Sequence, residues 1–276
     1  MEHLEAIGHY WDGRAEGYQT VSKEEFLNAP GDFWRAIFRR EIPAGGHVLD
    51  DGVGAGFFSM VLADLGYRLT SIDDSEDMVT RLKQNMADRG LPGDIRRMDA
   101  QHLEFPEQTF DAVVSRNMLW ALEEPEQGYA EIARVLKPGG TLILEDANHY
   151  LYLYDEAYRA EADAMRERFL AWVKDHELPQ NAWGNADPRV MEDLARDLPL
   201  SRKRRPAWDT QVLLDLGFRE LRIVTKGSGS PFGRDTFFGE VESALPMAFY
   251  IIARKGGLRT AGRAADGKTP AGASPS

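Results

Sequence analysis

Hydrophobic and polar positions in this chain follow two alternating spacings, one typical of strands and one typical of helices. Residues 47–50 form an apolar run that is too short and too β-branched to favour a helix, so they predict a strand. Residues 57–65 follow as an apolar helix, and a second short run ends at Asp73. A strand, a helix and a second strand in this order predict a βαβ unit.

The same alternation continues through most of the chain. Further strands are predicted at residues 94–98, 112–115, 141–144, 219–225 and 248–254. Helices are predicted within residues 1–41 with a break at 28–31, after Ser75, from Pro125, at 155–176, around Val190 and at 206–217. Because no crossover helix separates the last two strands, they must be antiparallel. The pattern predicts an α/β fold with a seven-stranded, mostly parallel sheet, an antiparallel last strand and a helical cap.

Three glycines separate the first predicted strand from its helix. Gly52, Gly54 and Gly56 allow a sharp turn and let bare backbone approach a ligand, because no Cβ stands in the way. The first amides of the following helix point back toward that ligand. Asp73 ends the next strand, where a carboxylate can accept both hydroxyls of a ribose. The stretch therefore predicts a nucleoside site.

The spacing of the glycines bears on which nucleoside is bound. A dinucleotide fingerprint needs G-x-G-x-x-G, but Phe57 stands where its third glycine would be. The observed pattern, Asp50-x-Gly52-x-Gly54-x-Gly56, resembles motif I of the class I S-adenosylmethionine (SAM) methyltransferases. The resemblance implies a Rossmann-like fold and SAM as cofactor, with S-adenosylhomocysteine as product. It places Asp50 beside the methionine moiety and assigns the ribose to Asp73.

The resemblance continues beyond the first βαβ unit. The family's version of this passage places the residues matching Asp74 and Met78 against adenine, and Asp99-Ala100 where an acid and an amide read its amino edge. That pairing is chemically sensible, because adenine N6 is a donor and N1 an acceptor. The run at residues 135–142 resembles the late motif of ubiquinone- and menaquinone-type methyltransferases, and its role is structural.

The N-terminal helix carries an aromatic motif at residues 10–18. Similar leaders occur in small-molecule methyltransferases, where the segment folds over bound SAM. By that resemblance Tyr18 covers the cofactor and Arg14 reaches its carboxylate. The alternative is a helix that simply packs Tyr10, Trp11 and Tyr18 on the domain.

Residues at the ends of the fourth and fifth predicted strands are candidates for the methionine end of SAM and for the acceptor. Ligands bind at the carboxyl ends of strands in open α/β sheets. Arg116 and Asn117 are therefore candidates for the cofactor, and Trp120 for the acceptor pocket, with core packing as the alternative for Trp120.

A second candidate group follows the fifth strand. Asp146, His149 and Tyr150 are placed for a general base or for hydrogen bonds to the acceptor, and His149 titrates in the useful range. A hydrogen-bonded structural histidine is the alternative. The basic run at residues 202–205 is either a solvated loop or an anchor for a substrate carboxylate or phosphate.

Composition and charge limit the kinds of molecule that this chain is expected to bind. The formal net charge of -12 over 276 residues argues against long nucleic acids. The absence of cysteine is expected of a reducing cytoplasm, and these 276 residues predict neither a secretory leader nor a membrane-spanning run. The histidine spacing suggests no metal. The amphipathic stripe of the cap needs a partner, either the core or a second subunit in a homodimer.

These observations predict a SAM-dependent methyltransferase that acts on a small molecule with an N, O, S or C nucleophile. Transfer is by in-line displacement in a capped pocket. A protein methyltransferase with the same SAM site and an NAD-dependent oxidoreductase are the alternatives. The predicted parts are a helical lid (1–41), a SAM-binding core (42–150), a cap (151–206), the remaining core sheet (207–255) and a disordered tail (256–276).

Overall fold

The computed structural model describes residues 2–174, 187–226 and 245–257, apart from residue 246. The helices are α1 (Glu2–Leu27), α2 (Ala29–Glu41), α3 (Phe57–Asp64), α4 (Glu76–Ala87), α5 (Pro125–Val135), α6 (Glu156–Val173), α7 (Pro188–Ala195) and α8 (Ala207–Asp215). The strands are β1 (His47–Asp51), β2 (Arg68–Asp73), β3 (Asp94–Arg97), β4 (Phe110–Arg116), β5 (Leu136–Ala147), β6 (Phe218–Lys226) and β7 (Ala248–Lys255). The predicted aromatic turn before β7 and nearly all of the predicted tail lie outside the described residues.

The strands form one seven-stranded sheet in the order β3-β2-β1-β4-β5-β7-β6. Strands β1 to β5 pair in parallel, and β7 runs antiparallel to both of its neighbours, β5 and β6. The predicted α/β class, strand number and antiparallel last strand are confirmed. The strand order reverses at β1 and β4, and this switch point opens the crevice at their carboxyl ends.

Strand β5 is longer than its predicted core of residues 141–144. It begins at Leu136, directly after α5, where Leu136 pairs with Phe110, and pairing resumes with Thr141 opposite Ala112. The proline and glycines between these pairs form an irregularity, with Gly139 at a φ of +77°. The helix α5 therefore ends before the proline and glycines, as predicted, but these residues lie inside strand β5 and not ahead of it.

Two apolar clusters fill the two faces of the sheet. One joins α2 and α3 to the strands, and in it Trp34 and Phe58 pack at a ring distance of 4.7 Å. The other joins α5 and α8, with Tyr129 and Leu213 fully buried. These layers hold the strands in register and so fix the positions of their carboxyl ends.

A third, smaller cluster joins the N-terminal lid to the cap. Ile7 and Tyr10 of α1 pack with Met191 and Ala195 of α7 around Trp120. Burying apolar side chains is worth about 1.5–3 kcal/mol each, so this contact holds the two segments together above the crevice. The amphipathic pattern predicted both helices, but not that they meet.

Candidate active site

Two adjoining cavities occupy the crevice at the carboxyl ends of β1, β2 and β4. The residues that line both are Trp11, Gly52, Asp73, Met118 and Ala121. The first cavity continues past Asp50 and Asn117, and the second past Met98 and Asp99. The lid covers both, because Trp11 belongs to α1.

The glycine-rich turn is shaped by its neighbours. Gly52 has a φ of +75°, and a Cβ there would collide with the Met118 side chain. A Cβ on Gly56 would collide with Leu82. Gly54, at a φ of +52°, would meet no atom within 4 Å, so its open face borders the first cavity. The outer two glycines are therefore required by packing, and the middle one by its left-handed conformation.

Asp73 holds the turn against the start of α4. Its carboxylate accepts hydrogen bonds from the Gly54 amide at 2.8 Å and the Ser75 amide at 3.0 Å. Ser75 in turn caps α4 by accepting from the Met78 amide. Burial raises the pKa of Asp73 to about 6. Its remaining lone pairs are free to meet hydroxyl donors, which suits a ribose.

Asp50 lies on the α3 side of the turn. It is almost fully buried and accepts a hydrogen bond from the Ser59 hydroxyl at 2.5 Å. Burial raises the pKa of Asp50 to about 7. Because Asp50 and Asp73 line the same cavity, a cationic ligand group gains most there.

The second cavity contains most of the residues predicted to contact adenine. Asp74, Asp99 and Ala100 line it, whereas Met78 lines the first cavity instead. Asp99 accepts from the Gln101 amide at 2.8 Å and contacts a ring nitrogen of His102 at 3.0 Å. Burial alone would raise the pKa of Asp99, but these hydrogen bonds outweigh it and hold the pKa below its usual value.

Arg116 and Asn117 both line the first cavity, as predicted for the methionine end. The Arg116 guanidinium donates two bonds of 2.7 Å to Glu25 of α1 and one of 2.8 Å to Glu145. It also lies 4.6 Å from the centre of the Phe57 ring. Arg116 therefore fastens the lid to the core, a contact that the sequence did not indicate because Glu25 lies 91 residues away.

The lid aromatics cover the first cavity. Tyr18 and Trp11 line it, and their rings meet edge to face at 5.6 Å. Arg14 is 93% buried, and its guanidinium lies 5.5 Å from the Tyr18 ring and 6.0 Å from the Tyr10 ring. Arg14 lines neither cavity, so the structure does not place it where the predicted contact with the cofactor carboxylate would be made.

The placement of Asp146 argues against its predicted role as a base. Its carboxylate is fully buried, 2.7 Å from an Arg205 nitrogen, and accepts from the backbone amide of Trp120 at 3.2 Å. Burial alone would raise the pKa of Asp146, but the Arg205 guanidinium outweighs it and holds the pKa below its ordinary value. Asp146 is an anchor for the segment after β4. His149 lies 3.6 Å from it, one third exposed, and lines neither cavity.

Trp120 and Tyr150, the predicted acceptor contacts, pack in the lid–cap cluster. Trp120 is 5% exposed, its ring lies 5.2 Å from that of Tyr150, and its indole donates to the Asn117 carbonyl at 2.9 Å. Neither residue lines the two cavities. Core packing, the alternative for Trp120, is what the structure shows.

The basic run at residues 202–205 is exposed at residues 202–204, as the solvated-loop interpretation predicts, and buried at Arg205. Arg205 is fully buried and binds Asp146 and Asp209, while Arg204 pairs with Asp155. Arg202 lies 4.8 Å from the centre of the Tyr154 ring. Arg204 and Arg205 therefore form ion pairs within the chain, and no residue of the run lines the two cavities.

Within the described residues, no three His, Asp or Glu side chains form a group that could hold a metal ion. None of the described helices is long and apolar enough to cross a membrane.

The cleft fits SAM on its own chemistry. Gly54 leaves space where a side chain would stand, and Asp50 and Asp73 suit the positive charge of a sulfonium. Among the described lining residues, Arg116 is the single basic one, and Glu25 engages it with two hydrogen bonds. A pyrophosphate would find no unpaired cation here, so the electrostatics disfavour a dinucleotide.

Comparison with known proteins agrees with this chemistry. Residues 49–144 match a family described as a methyltransferase domain. The chain is 33% identical over 162 residues to the phosphatidylethanolamine N-methyltransferase of Cereibacter sphaeroides, an alignment that covers 57% of this chain and 75% of that protein. A ubiquinone biosynthesis O-methyltransferase of Xanthomonas axonopodis pv. citri is 35% identical over 107 residues, which cover 38% of this chain and 45% of that one.

A solved structure shares the fold. The crystal structure of a SAM-dependent methyltransferase from Aquifex aeolicus superimposes with a TM-score of 0.52 at 18% identity, and covers 86% of this chain and 97% of that one.

Proposed function

This chain belongs to the class I SAM-dependent methyltransferases, and from that premise we propose that it methylates a small molecule enclosed in the cleft beneath the lid. The observation that carries the proposal is the position of α1, whose Trp11 lines both cavities and which is held in place by its packing on α7. A site covered in this way suits an acceptor that enters whole, rather than a residue on a folded protein. Membership of this family replaces the NAD-dependent oxidoreductase alternative.

The cleft residues receive roles from their positions. Bound SAM supplies a methyl group on a positively charged sulfonium, which is reactive without further activation. Asp73 orients the ribose, and Asp50 and Asn117 hold the methionine end. Asp99 and Ala100 read the adenine from the second cavity, with Asp74 at its edge. Positioning of this kind supplies most of the rate gain in such displacements.

The walls of the first cavity bear on the chemistry of the acceptor. The rings of Phe57, Phe58 and Tyr18 provide an apolar surface beside the carboxyl groups of Asp50 and Asp73. An anionic acceptor is repelled by these acids, whereas an amine or a neutral hydroxyl is tolerated. We therefore favour an uncharged or cationic acceptor. The relative from Cereibacter sphaeroides, named for methyl transfer to nitrogen on a phospholipid amine, supports this proposal.

Methyl transfer from radiolabelled SAM tests the proposal directly. Purified enzyme is incubated with separate panels of primary amines, hydroquinones and anionic carboxylates, and with a protein extract. We expect label in one of the first two panels, with Asp73→Ala inactive on the same acceptor. Label confined to protein bands would support the protein methyltransferase alternative instead.

A further inference from the structure

Asp51 is the last residue of β1, and its side chain points to the face of the sheet opposite α3. Its backbone is held on both sides, opposite Ile72 of β2 and Ser115 of β4. Side chains alternate between faces along a strand. Asp50 points to α3, where it meets Ser59, so Asp51 shares the opposite face with Leu49.

The Asp51 carboxyl group is fully buried and lacks a hydrogen-bond partner. It has no solvent exposure, and neither of its oxygens meets a donor or acceptor among the described residues. Leaving such a group unsatisfied typically costs a folded protein about 1–3 kcal/mol. Buried polar groups of this kind need an explanation, and a bound ligand is one of the few available.

The second cavity lies where that ligand would be. Asp51 is among its lining residues, and Met98, Ala100 and Leu122 on the same face are lining residues too. The same cavity contains Asp99, and on the residue roles of the proposed function, on which this inference rests, it is the nucleoside end of the cleft.

The charges around Asp51 are all negative. Asp50 on β1, Asp73 on β2 and Asp99 after β3 each add repulsion, and burial is the largest effect. Asp74 also lines the cavity, and its carboxylate lies 3.5 Å from the Arg97 guanidinium. The lining residues from α1 and from the segment after β4 are uncharged. Burial and these acids place the pKa of Asp51 well above its usual value.

We propose that Asp51 is a nucleoside-recognition residue whose carboxyl group, in its neutral form, donates a hydrogen bond to an acceptor atom of the adenosine of SAM. A neutral carboxyl has one O–H donor, which an ionised one lacks. Adenine presents ring nitrogens that only accept, and these need a donor from the protein. Asp99 supplies acceptors, so Asp51 adds the complementary group to the same cavity.

Two substitutions separate the role of the proton from that of the shape. Asp51→Asn keeps the size and an N–H donor but cannot ionise, whereas Asp51→Leu keeps a similar branched shape and removes all hydrogen bonding. We expect Asp51→Leu to weaken S-adenosylhomocysteine about tenfold by calorimetry, and Asp51→Asn to stay within about threefold of wild type. Equal affinities for Asp51→Leu and wild type would overturn the proposal.

Shorter ligands locate the contact within the cofactor. 5′-Methylthioadenosine lacks the amino-acid part, so Asp51→Leu should weaken it by the same factor as S-adenosylhomocysteine. Asp50→Asn is the contrasting variant, because Asp50 faces the methionine end and should affect only the longer ligand. Loss confined to S-adenosylhomocysteine in Asp51→Leu would show that Asp51 does not recognise the nucleoside.

Deaza analogues of S-adenosylhomocysteine identify the accepting atom. Replacing one ring nitrogen of adenine at a time by C–H should cost wild type about tenfold at the contacted position. The same replacement should cost Asp51→Leu nothing, because the bond is already absent. If every analogue loses the same factor in both proteins, the proposed bond to the ring is wrong.

The pH dependence of binding provides an independent readout that needs no apolar variant. Wild type should lose affinity as the pH rises through the pKa of Asp51, because ionisation removes the donor. Asp73 and Asp50 titrate in both proteins, so the difference between wild type and Asp51→Asn isolates Asp51. Parallel pH curves for these two proteins would overturn the proposal even if Asp51→Leu failed to fold.

Discussion

Asp146 and Asp51 are both fully buried aspartates near the carboxyl ends of two strands of one sheet, β5 and β1. Their surroundings differ. Asp146, on β5, binds the Arg205 guanidinium at 2.7 Å and accepts backbone hydrogen bonds. Asp51, on β1, has neither a cation nor a donor within the described residues. The pKa of Asp146 lies below its ordinary value and that of Asp51 well above it, despite equal burial.

The contrast separates a structural carboxylate from one that suits a ligand. Burial raises the pKa of either group, and at Asp146 the Arg205 guanidinium outweighs it. Asp146 was a candidate base because of its position in the chain, but its carboxylate is already engaged by Arg205 and by two backbone amides, which argues against that role. Asp51 has the opposite condition, since its hydrogen-bonding capacity is unused inside a cavity. For buried acids, the inventory of partners tells more than the position on the sheet.

The largest effect is expected when the cation of the Asp146 group is removed. Arg205→Met leaves Asp146 and Asp209 buried without their shared counterion. Breaking a buried ion pair typically costs about 3–5 kcal/mol, so the free energy of unfolding in urea should fall by that amount. Arg204→Met is the matched control, because exposed Arg204 should cost less than about 1 kcal/mol. Equal losses in the two variants would remove the contrast.

The second-largest effect is expected at Asp73, an acid of the cleft that accepts hydrogen bonds from two backbone amides. Asp73→Asn keeps the size of the side chain but weakens its capacity to accept, and we expect the affinity for S-adenosylhomocysteine to fall about 10- to 100-fold. The exposed Asp77→Asn in the first turn of α4 is the control and should bind normally. Unchanged affinity in Asp73→Asn would contradict the ribose assignment.

The pH dependence of stability should have opposite signs at the two compared aspartates. The folded-state pKa of Asp51 lies above its unfolded value of about 3.9, so wild type loses stability as the pH rises above about 4. Asp51→Asn should therefore gain on wild type by up to about 1.4 kcal/mol per pH unit.

Asp146→Asn should show the reverse trend. The lowered pKa of Asp146 stabilises wild type above the unfolded pKa, and this contribution is lost as the pH falls through the folded one. The variant should therefore lose most relative to wild type at neutral pH. Urea unfolding measures the two slopes, between pH 4 and 8 for Asp51→Asn and from pH 5 down to the lowest pH at which the wild type stays folded for Asp146→Asn. Slopes of the same sign would show that the surroundings do not determine the charge.

The smallest effect is expected at the second neighbour of Asp146. His149 lies 3.6 Å from Asp146 and is partly exposed. Because Arg205 already neutralises the carboxylate, His149→Gln should change the free energy of unfolding by less than about 1 kcal/mol. A loss as large as that of Arg205→Met would make His149 the main counterion.

The sequence was most reliable where short local patterns decide the structure. The glycines at 52, 54 and 56 and the acid at 73 are parts of one contiguous βαβ unit, so their convergence follows from the chain itself. The sequence was least reliable after β4 and at the end of β5, where Trp120 and Asp146 were interpreted by position alone. Their partners, Met191 and Arg205, lie far along the chain in the cap.

By itself the sequence determined the α/β class and the seven strands, because the hydrophobic period is a local property of the chain. Its motifs also carried the resemblance that implied the family and the cofactor. Only the tertiary structure decided which charges are paired and which side chains line the cleft. It fastened the lid through Glu25 and Arg116, buried Arg205 in an ion pair with Asp209, and left Asp51 unsatisfied beside the second cavity. Burial and pairing depend on residues brought together from distant segments, and local patterns do not record those contacts.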